Sequence, residues 1–377
     1  MTRRSHPHGF TLPELMVSLA IGLVLVLVIS TMVARQEDIR RGVSSSNELS
    51  NNVAYSSFLL DRELRNAGAG LVGSTNWGCP LVASLNNTQL LPSLQAFPAP
   101  FDSISQTYVI APVVVFAGAG ANGSDVLMLS TGNSGLSEAA QAVAPQSATA
   151  GQVQLSNTLG MRGGDLVLLT QAGRCMLQQV STGFAGGTSP TLTFGGTYAA
   201  DTIAGVALTS FADSNTSGTA FVSVLGNVTG NRPRFHLIGL NTNNELVSYD
   251  LLRLAGTTPL ALVEGVVDLR VLYGVDSTGA RSAVDTWVLP TAAGYTAAAL
   301  TNGTSTAQTA LGNILAVRVG LIIRSDQQSR DDVTAGSLTL FGDLGDTLSH
   351  IYTVPTGTTN QRYRAVEFTV PLRNSRF

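Results

Sequence analysis

The sequence predicts an α+β protein: a long N-terminal helix, apolar and then amphipathic, followed by a large, mainly antiparallel β head with long loops. Three observations carry this. Residues 15–33 form an uncharged, largely apolar run of 19 residues that leads straight into a helical pattern. Beyond residue 70, short apolar runs alternate with Gly, Asn, Asp and Pro, the punctuation of strands and turns. Only 12% of residues are charged and 39 of 377 are Gly, which suits strands joined by many turns better than charge-laced helices.

As a helix the apolar run is about 28 Å long, enough to cross a bilayer core of about 30 Å. A secretory signal would end in a small-residue cleavage site, whereas this run continues into Ala34, Arg35 and a polar segment, so it reads as retained. Arg3 and Arg4 precede it and Arg35, Arg40 and Arg41 follow, so positive charge leaves the orientation open. Val43, Leu49, Val53, Leu60, Leu64 and Ala67 then recur near helical spacing and form an apolar stripe to set against the head. The helix is predicted from about Pro13 to Ala67, about 80 Å if unbroken, with Gly68 and Gly70 as its stop. Pro13 fits the first turn, where its missing N–H has no intrahelical partner.

In the head, strands are predicted in TYVIAPVVVF from Thr107, DVLMLS from Asp125, DLVLLT from Asp165 and PRFHLIGL from Pro233. ILAVRVGLIIRS from Ile314 sets Val317, Val319, Leu321 and Ile323 on one face, and YRAVEFTVPL from Tyr363 does the same with Val366, Phe368 and Val370. Residues 132–151, 182–202, 212–219 and 291–311 are rich in Ala, Gly, Ser, Thr and Asn and read as long surface loops.

Several chemistries are set aside. The 21 basic residues are all Arg and nowhere cluster densely, so the footprint of a nucleic-acid binder is missing. His6, His8, His236 and His350 have no metal-ligand spacing. Gly118, Gly120 and Gly123 form a Gly-x-Gly-x-x-Gly string, but a strand rather than a helix follows, so a hairpin turn is expected and not a dinucleotide site. Asp276 and Gly279 read as a tight turn rather than a calcium loop. Asp331 with Asp332, and Asp343 with Asp346, read as solvated turn acids rather than a catalytic dyad. No nucleophile elbow is present, and neither a catalytic residue nor a cofactor is expected. Cys79 and Cys175 both follow the apolar segment, so an exported head makes them a disulfide candidate, two separate buried thiols being the alternative.

Ahead of the apolar run stands Gly9-Phe10-Thr11-Leu12-Pro13-Glu14. This resembles the prepilin signature shared by type IV pilins and type II secretion pseudopilins. The resemblance implies that a prepilin peptidase cuts between Gly9 and Phe10 and methylates the new amine of Phe10. The chain then divides into a leader, 1–9; a pilin helix, 10–67, transmembrane over about 13–34 and amphipathic over 35–67; and a β-rich extracytoplasmic head, 68–377. A carboxylate at the edge of the membrane costs about 2 to 3 kcal/mol when unpaired. The family's partner for Glu14 is the Phe10 amine of a neighbouring subunit; a solvated acid in the first helical turn is the alternative.

FLLDRELRNAGAGLVG from Phe58, LVEGVVDLRVLYGVDSTG from Leu262, AVRVGLIIRS from Ala316 and VPLRN from Val370 resemble the PilW family of minor pilins. That likeness implies a structural role in a type IV pilus initiation or tip complex. The implied partners are the prepilin peptidase, other minor pilins, the major pilin and inner-membrane lipid, with the head in the periplasm and incorporation into the fibre open. A type II secretion pseudopilin and a pilus-borne adhesin head are the alternatives, the first separable by neighbouring genes and the second by ligand binding.

Overall fold

The computed structural model describes residues 11–71, 77–133, 140–187 and 189–372. Helix α1 (Leu12–Asn66) runs 55 residues without a break, with Thr11 as its N-cap and Pro13 in the first turn. It ends at Ala67, where Gly68 (φ 80°) and Gly70 (φ 68°) take the left-handed backbone that closes a helix. The Gly68 N–H donates to the Ser130 carbonyl at 2.8 Å, tying the helix end to the head.

Two sheets share the core under the helix. The first has the order β18 (Thr286–Val288), β17 (Val266–Val275), β19 (Ile314–Gln328), β22 (Gln361–Pro371), all antiparallel. Here Val317, Val319 and Leu321 pair with Val370, Phe368 and Val366, so the alternation expected in both strands falls on one face, and α1 packs there. The second sheet runs β16 (Leu260–Glu264), β15 (Glu245–Asp250), β14 (Arg234–Leu240), β5 (Val126–Thr131), β4 (Val113–Phe116). The Gly118 to Gly123 string links β4 to its antiparallel neighbour β5, as a hairpin connection should.

A third sheet holds β2 (Thr88–Leu91), β1 (Cys79–Leu85), β9 (Arg174–Gln179), β8 (Asp165–Gln171), β13 (Phe221–Asn227) and β6 (Gln141–Ala142), with β3 (Val109–Ile110) also on β1. Only β1 with β9 is parallel among its described pairs. Its outer face has a core of its own, with Val167, Met176, Leu192 and Phe211 buried. Two-stranded pieces complete the head: β7 (Gln152–Gln154) with β10 (Thr191–Thr193), β11 (Thr202–Ile203) with β12 (Val206–Ala207), and β20 (Ser337–Leu340) with β21 (His350–Thr353). The last hairpin covers the face of the first sheet opposite α1, burying Leu340 and Phe341 against Ile322 and Leu272.

The fold class is the expected one, and several details differ. Segment 291–311 is not a loop throughout: it holds α2 (Ala297–Leu300) and α3 (Ser305–Asn313), each capped by a threonine hydroxyl, Thr296 and Thr304. They bury Leu300, Ala307 and Leu311. Segment 182–202 contributes β10 and the buried Leu192 and Tyr198. The run from Thr107 is two strands in different sheets, β3 and β4, divided around Pro112, which has no N–H to give a ladder.

Candidate functional site: the stalk and its seat on the head

On α1 the large apolar side chains of residues 12–33 are all exposed, a surface that only lipid or other helices can cover. It is long and apolar enough to cross a membrane. Glu14 stands at its N-terminal end. Its Oε2 accepts hydrogen bonds from the Thr11 N–H at 3.0 Å and the Thr11 hydroxyl at 2.8 Å, so within one chain the carboxylate closes a capping box. Gly9 and Phe10 lie outside the described residues.

Higher up, the helix meets the head along one stripe. Leu49, Leu60 and Leu64 are buried and Val53 packs beside them, as their spacing predicts, whereas Val43 is 56% exposed because it points away from the sheet. Leu59 is buried in its turn. Polar contacts line the lower part of the seam. Gln327 Nε2 donates to Ser44 Oγ at 3.0 Å, Arg362 Nε to Ser45 Oγ at 3.1 Å, the Asp326 N–H to Glu48 at 3.1 Å, and Asn52 Nδ2 to the Glu264 carbonyl at 3.2 Å.

Near the top of the seam sits a charged group that the sequence did not single out. Glu63, 3% exposed, meets Arg234 at 2.8 Å and Arg62 at 2.9 Å, with the buried His236 ring at 3.7 Å. Burial pushes the His236 imidazole down to about 4 against the pull of Glu63, so the ring is neutral at pH 7. Glu63 falls on the buried stripe between Leu60 and Leu64, and its periodicity alone could have found it.

A second buried acid joins the two main sheets. The Asp125 N–H donates to the Leu269 carbonyl at 2.9 Å, and its carboxylate accepts from the Val271 N–H at 2.9 Å and the Gly118 N–H at 3.0 Å. Burial pushes Asp125 up to about 6 despite those donors and Arg270. The glycine string thus delivers an N–H to a sheet-bridging carboxylate. Asp276 accepts from the N–H groups of Thr278 and Ser282, the tight turn expected at Gly279. Asp343 is held by Arg318 at 2.7 and 2.9 Å and Asp332 accepts from the Thr359 hydroxyl, each bonded to a partner other than its neighbouring acid.

Cys79 and Cys175 are joined by a disulfide that ties β1 to β9, beside the Leu81 and Cys175 pairing of their parallel ladder. The structure therefore brings the two cysteines together across 96 positions of sequence, while Glu14 stands apart at the far end of the stalk.

Residues 239–374 match the family model described as Type IV Pilus-assembly protein W, and residues 4–30 match that of the prokaryotic N-terminal methylation motif. The chain matches a PilW-like type IV minor pilin. The motif and the apolar helix fit a membrane-anchored pilin, and the family points to interaction with other pilins and assembly machinery. The PilW match takes in β15 through β22, the strands on which the pilin helix sits, and leaves the disulfide-linked third sheet outside it. No curated protein and no solved structure matches the chain.

Proposed function

We propose that this minor pilin inserts through α1 into a type IV pilus initiation or tip complex and promotes pilus assembly. In this reading a prepilin peptidase removes residues 1–9 and methylates Phe10, the helix of residues 10–67 anchors the chain in the inner membrane, and residues 68–377 form a periplasmic head. The role is structural and has no catalytic step.

The observation that carries it is Glu14. It is the one charged side chain in the uninterrupted stretch of α1 from Leu12 to Ala34, all of whose large apolar neighbours are exposed. Its cap uses Oε2 alone among the described contacts, so Oε1 is available to the Phe10 amine of a neighbour. That attraction strengthens as the helices come together and exclude water.

Glu14→Gln keeps the capping acceptor and removes the charge, while Glu14→Ala removes both. Both variants are expected to insert and lose their leaders normally, yet to fail to co-purify with the other minor pilins and to lower pilus yield at matched expression. Failure of the Ala variant alone would mean that the cap, not the charge, matters. Normal assembly in both would refute the proposed role of Glu14.

A further inference from the structure

Below the seam, at the level where the apolar run of α1 ends, the stalk and the head enclose a niche of about 400 Å³. Ala34, Glu37, Asp38 and Arg41 of α1 line one side, and Ser329 and Arg330, just past the end of β19, line the other. The second wall is tied down. The Ser329 N–H donates to the Asn360 carbonyl at 2.8 Å, and the N–H groups of Val333 and Thr334 to the Thr359 carbonyl at 2.9 and 3.1 Å.

The charges lining the niche do not cancel within the protein. Arg41 Nε lies 3.4 Å from Glu37, so those two neutralise each other. Asp38 and Arg330 are exposed and have no ion-pair partner among the described residues. One carboxylate and one guanidinium are left over, on opposite walls.

Depth says what meets them. Ala34 is the last residue of α1 before the charges begin. Along a helix Asp38 stands about 6 Å above it, and the headgroup layer on each side of a bilayer core is about 5 to 8 Å deep. With the apolar run across the core, the niche therefore opens among lipid headgroups.

We propose that this niche binds the headgroup of a zwitterionic phospholipid with a primary ammonium, an ethanolamine phosphate, in the leaflet on the head's side. Arg330 takes the phosphate and Asp38 the ammonium. The proposal rests on the membrane-anchored reading and adds to it a lipid contact made by the head as well as the helix.

Charge selects this occupant. An anionic headgroup satisfies Arg330 but sets its surplus charge against Asp38. A choline headgroup shields its cation behind methyl groups and offers Asp38 no N–H. An ethanolamine phosphate brings both signs, with acceptor oxygens for the guanidinium fork and N–H donors for the carboxylate. Each contact is exposed to water and small alone, so the site expresses a preference among lipids.

The test uses the full-length protein in nanodiscs of equimolar ethanolamine and choline phospholipids with matched acyl chains. A photo-crosslinking side chain at position 329 captures the neighbouring lipid, and adducts are identified by mass. Ethanolamine adducts are expected to exceed choline adducts by at least about threefold. Asp38→Asn should make the two equal, and Arg330→Gln should lower the yield of both. In a second set of discs an anionic glycerol phospholipid replaces the choline lipid, and ethanolamine adducts should still lead. Equal adducts from the wild type, a preference unmoved by Asp38→Asn, or a lead for the anionic lipid would overturn the proposal. So would the absence of lipid adducts from protein that has entered the disc. Protein that does not enter the disc would overturn the membrane-anchored reading itself, and the proposal with it.

Discussion

Acidification should loosen the seat of the helix through His236. The ring lies 3.7 Å from Glu63 at the α1 contact with β14, faces Arg234 across the same carboxylate, and is itself buried. Burial lowers its pKa to about 4 from an ordinary 6.5. An unfolded chain takes up the proton near pH 6.5 and the folded chain not until about 4, so the unfolded state binds more protons throughout that interval and stability falls as pH falls. The linkage amounts to about 3 kcal/mol. Asp125 acts in the opposite sense: raised to about 6 by burial, it contributes stability that is lost as pH rises toward 6, so the wild-type profile alone masks both groups.

A difference measurement separates them. Wild type and His236→Leu, in detergent at fixed ionic strength, are unfolded in urea and followed by the fluorescence of Trp77, which is fully buried. The Asp125 contribution cancels in the difference. The stability of wild type relative to the variant should fall by about 3 kcal/mol between pH 7 and pH 4. A difference that does not change with pH, or one that grows on acidification, would show that His236 is protonated beside Glu63 and would refute the argument from burial.

Further outcomes can be measured on the same protein. Cys79→Ser with Cys175→Ser should cost roughly 2 to 5 kcal/mol, since the bridge closes a long loop; urea unfolding without reductant reads it directly. Leu60→Ala, at a fully buried position under the helix, should cost about 2 to 5 kcal/mol in the same assay while leaving membrane insertion intact. At Gly265 the backbone has φ +78° and an added Cβ would stand 2.5 Å from the Arg324 carbonyl oxygen, so Gly265→Ala should lower the melting temperature, and an unchanged value would contradict that geometry. Intact mass of protein from cells with a prepilin peptidase should correspond to a chain starting at N-methylated Phe10; a chain still starting at Met1 would remove the processing step.

What the sequence disclosed depended on the length of each pattern. The helix was legible because its apolar run and stripe persist for 55 residues, and β19 and β22 because their alternation is long and regular. Val43 was misplaced because the stripe drifts around the helix: Ser44 and Ser45 beside it meet the head while Val43 faces away. Helices α2 and α3 were hidden in Ala and Thr, whose composition does not distinguish a loop from a short capped helix. Glu63 was passed over although its place on the stripe marked it, whereas Arg234 and His236, 171 and 173 positions beyond it, escaped because only the fold brings them to that carboxylate. The cysteine pairing was legible from compartment and number alone, whereas the niche beside Ala34 depends on the loop after β19, which no local pattern places there.

The bridge between β1 and β9 also has a mechanical consequence. A pull on the chain beyond Cys175, taken against a stalk held in the membrane, reaches β1 through the covalent bond rather than through the intervening chain. The 96 residues of sequence separation between the two cysteines are thereby withheld from extension, roughly 330 Å of contour at full stretch. Load passes instead from Cys79 into the strands near the helix end, where Gly68 is bonded to Ser130. The bridged loop is thus a fixed-length link in the load path: it transmits the pull without paying out its own contour.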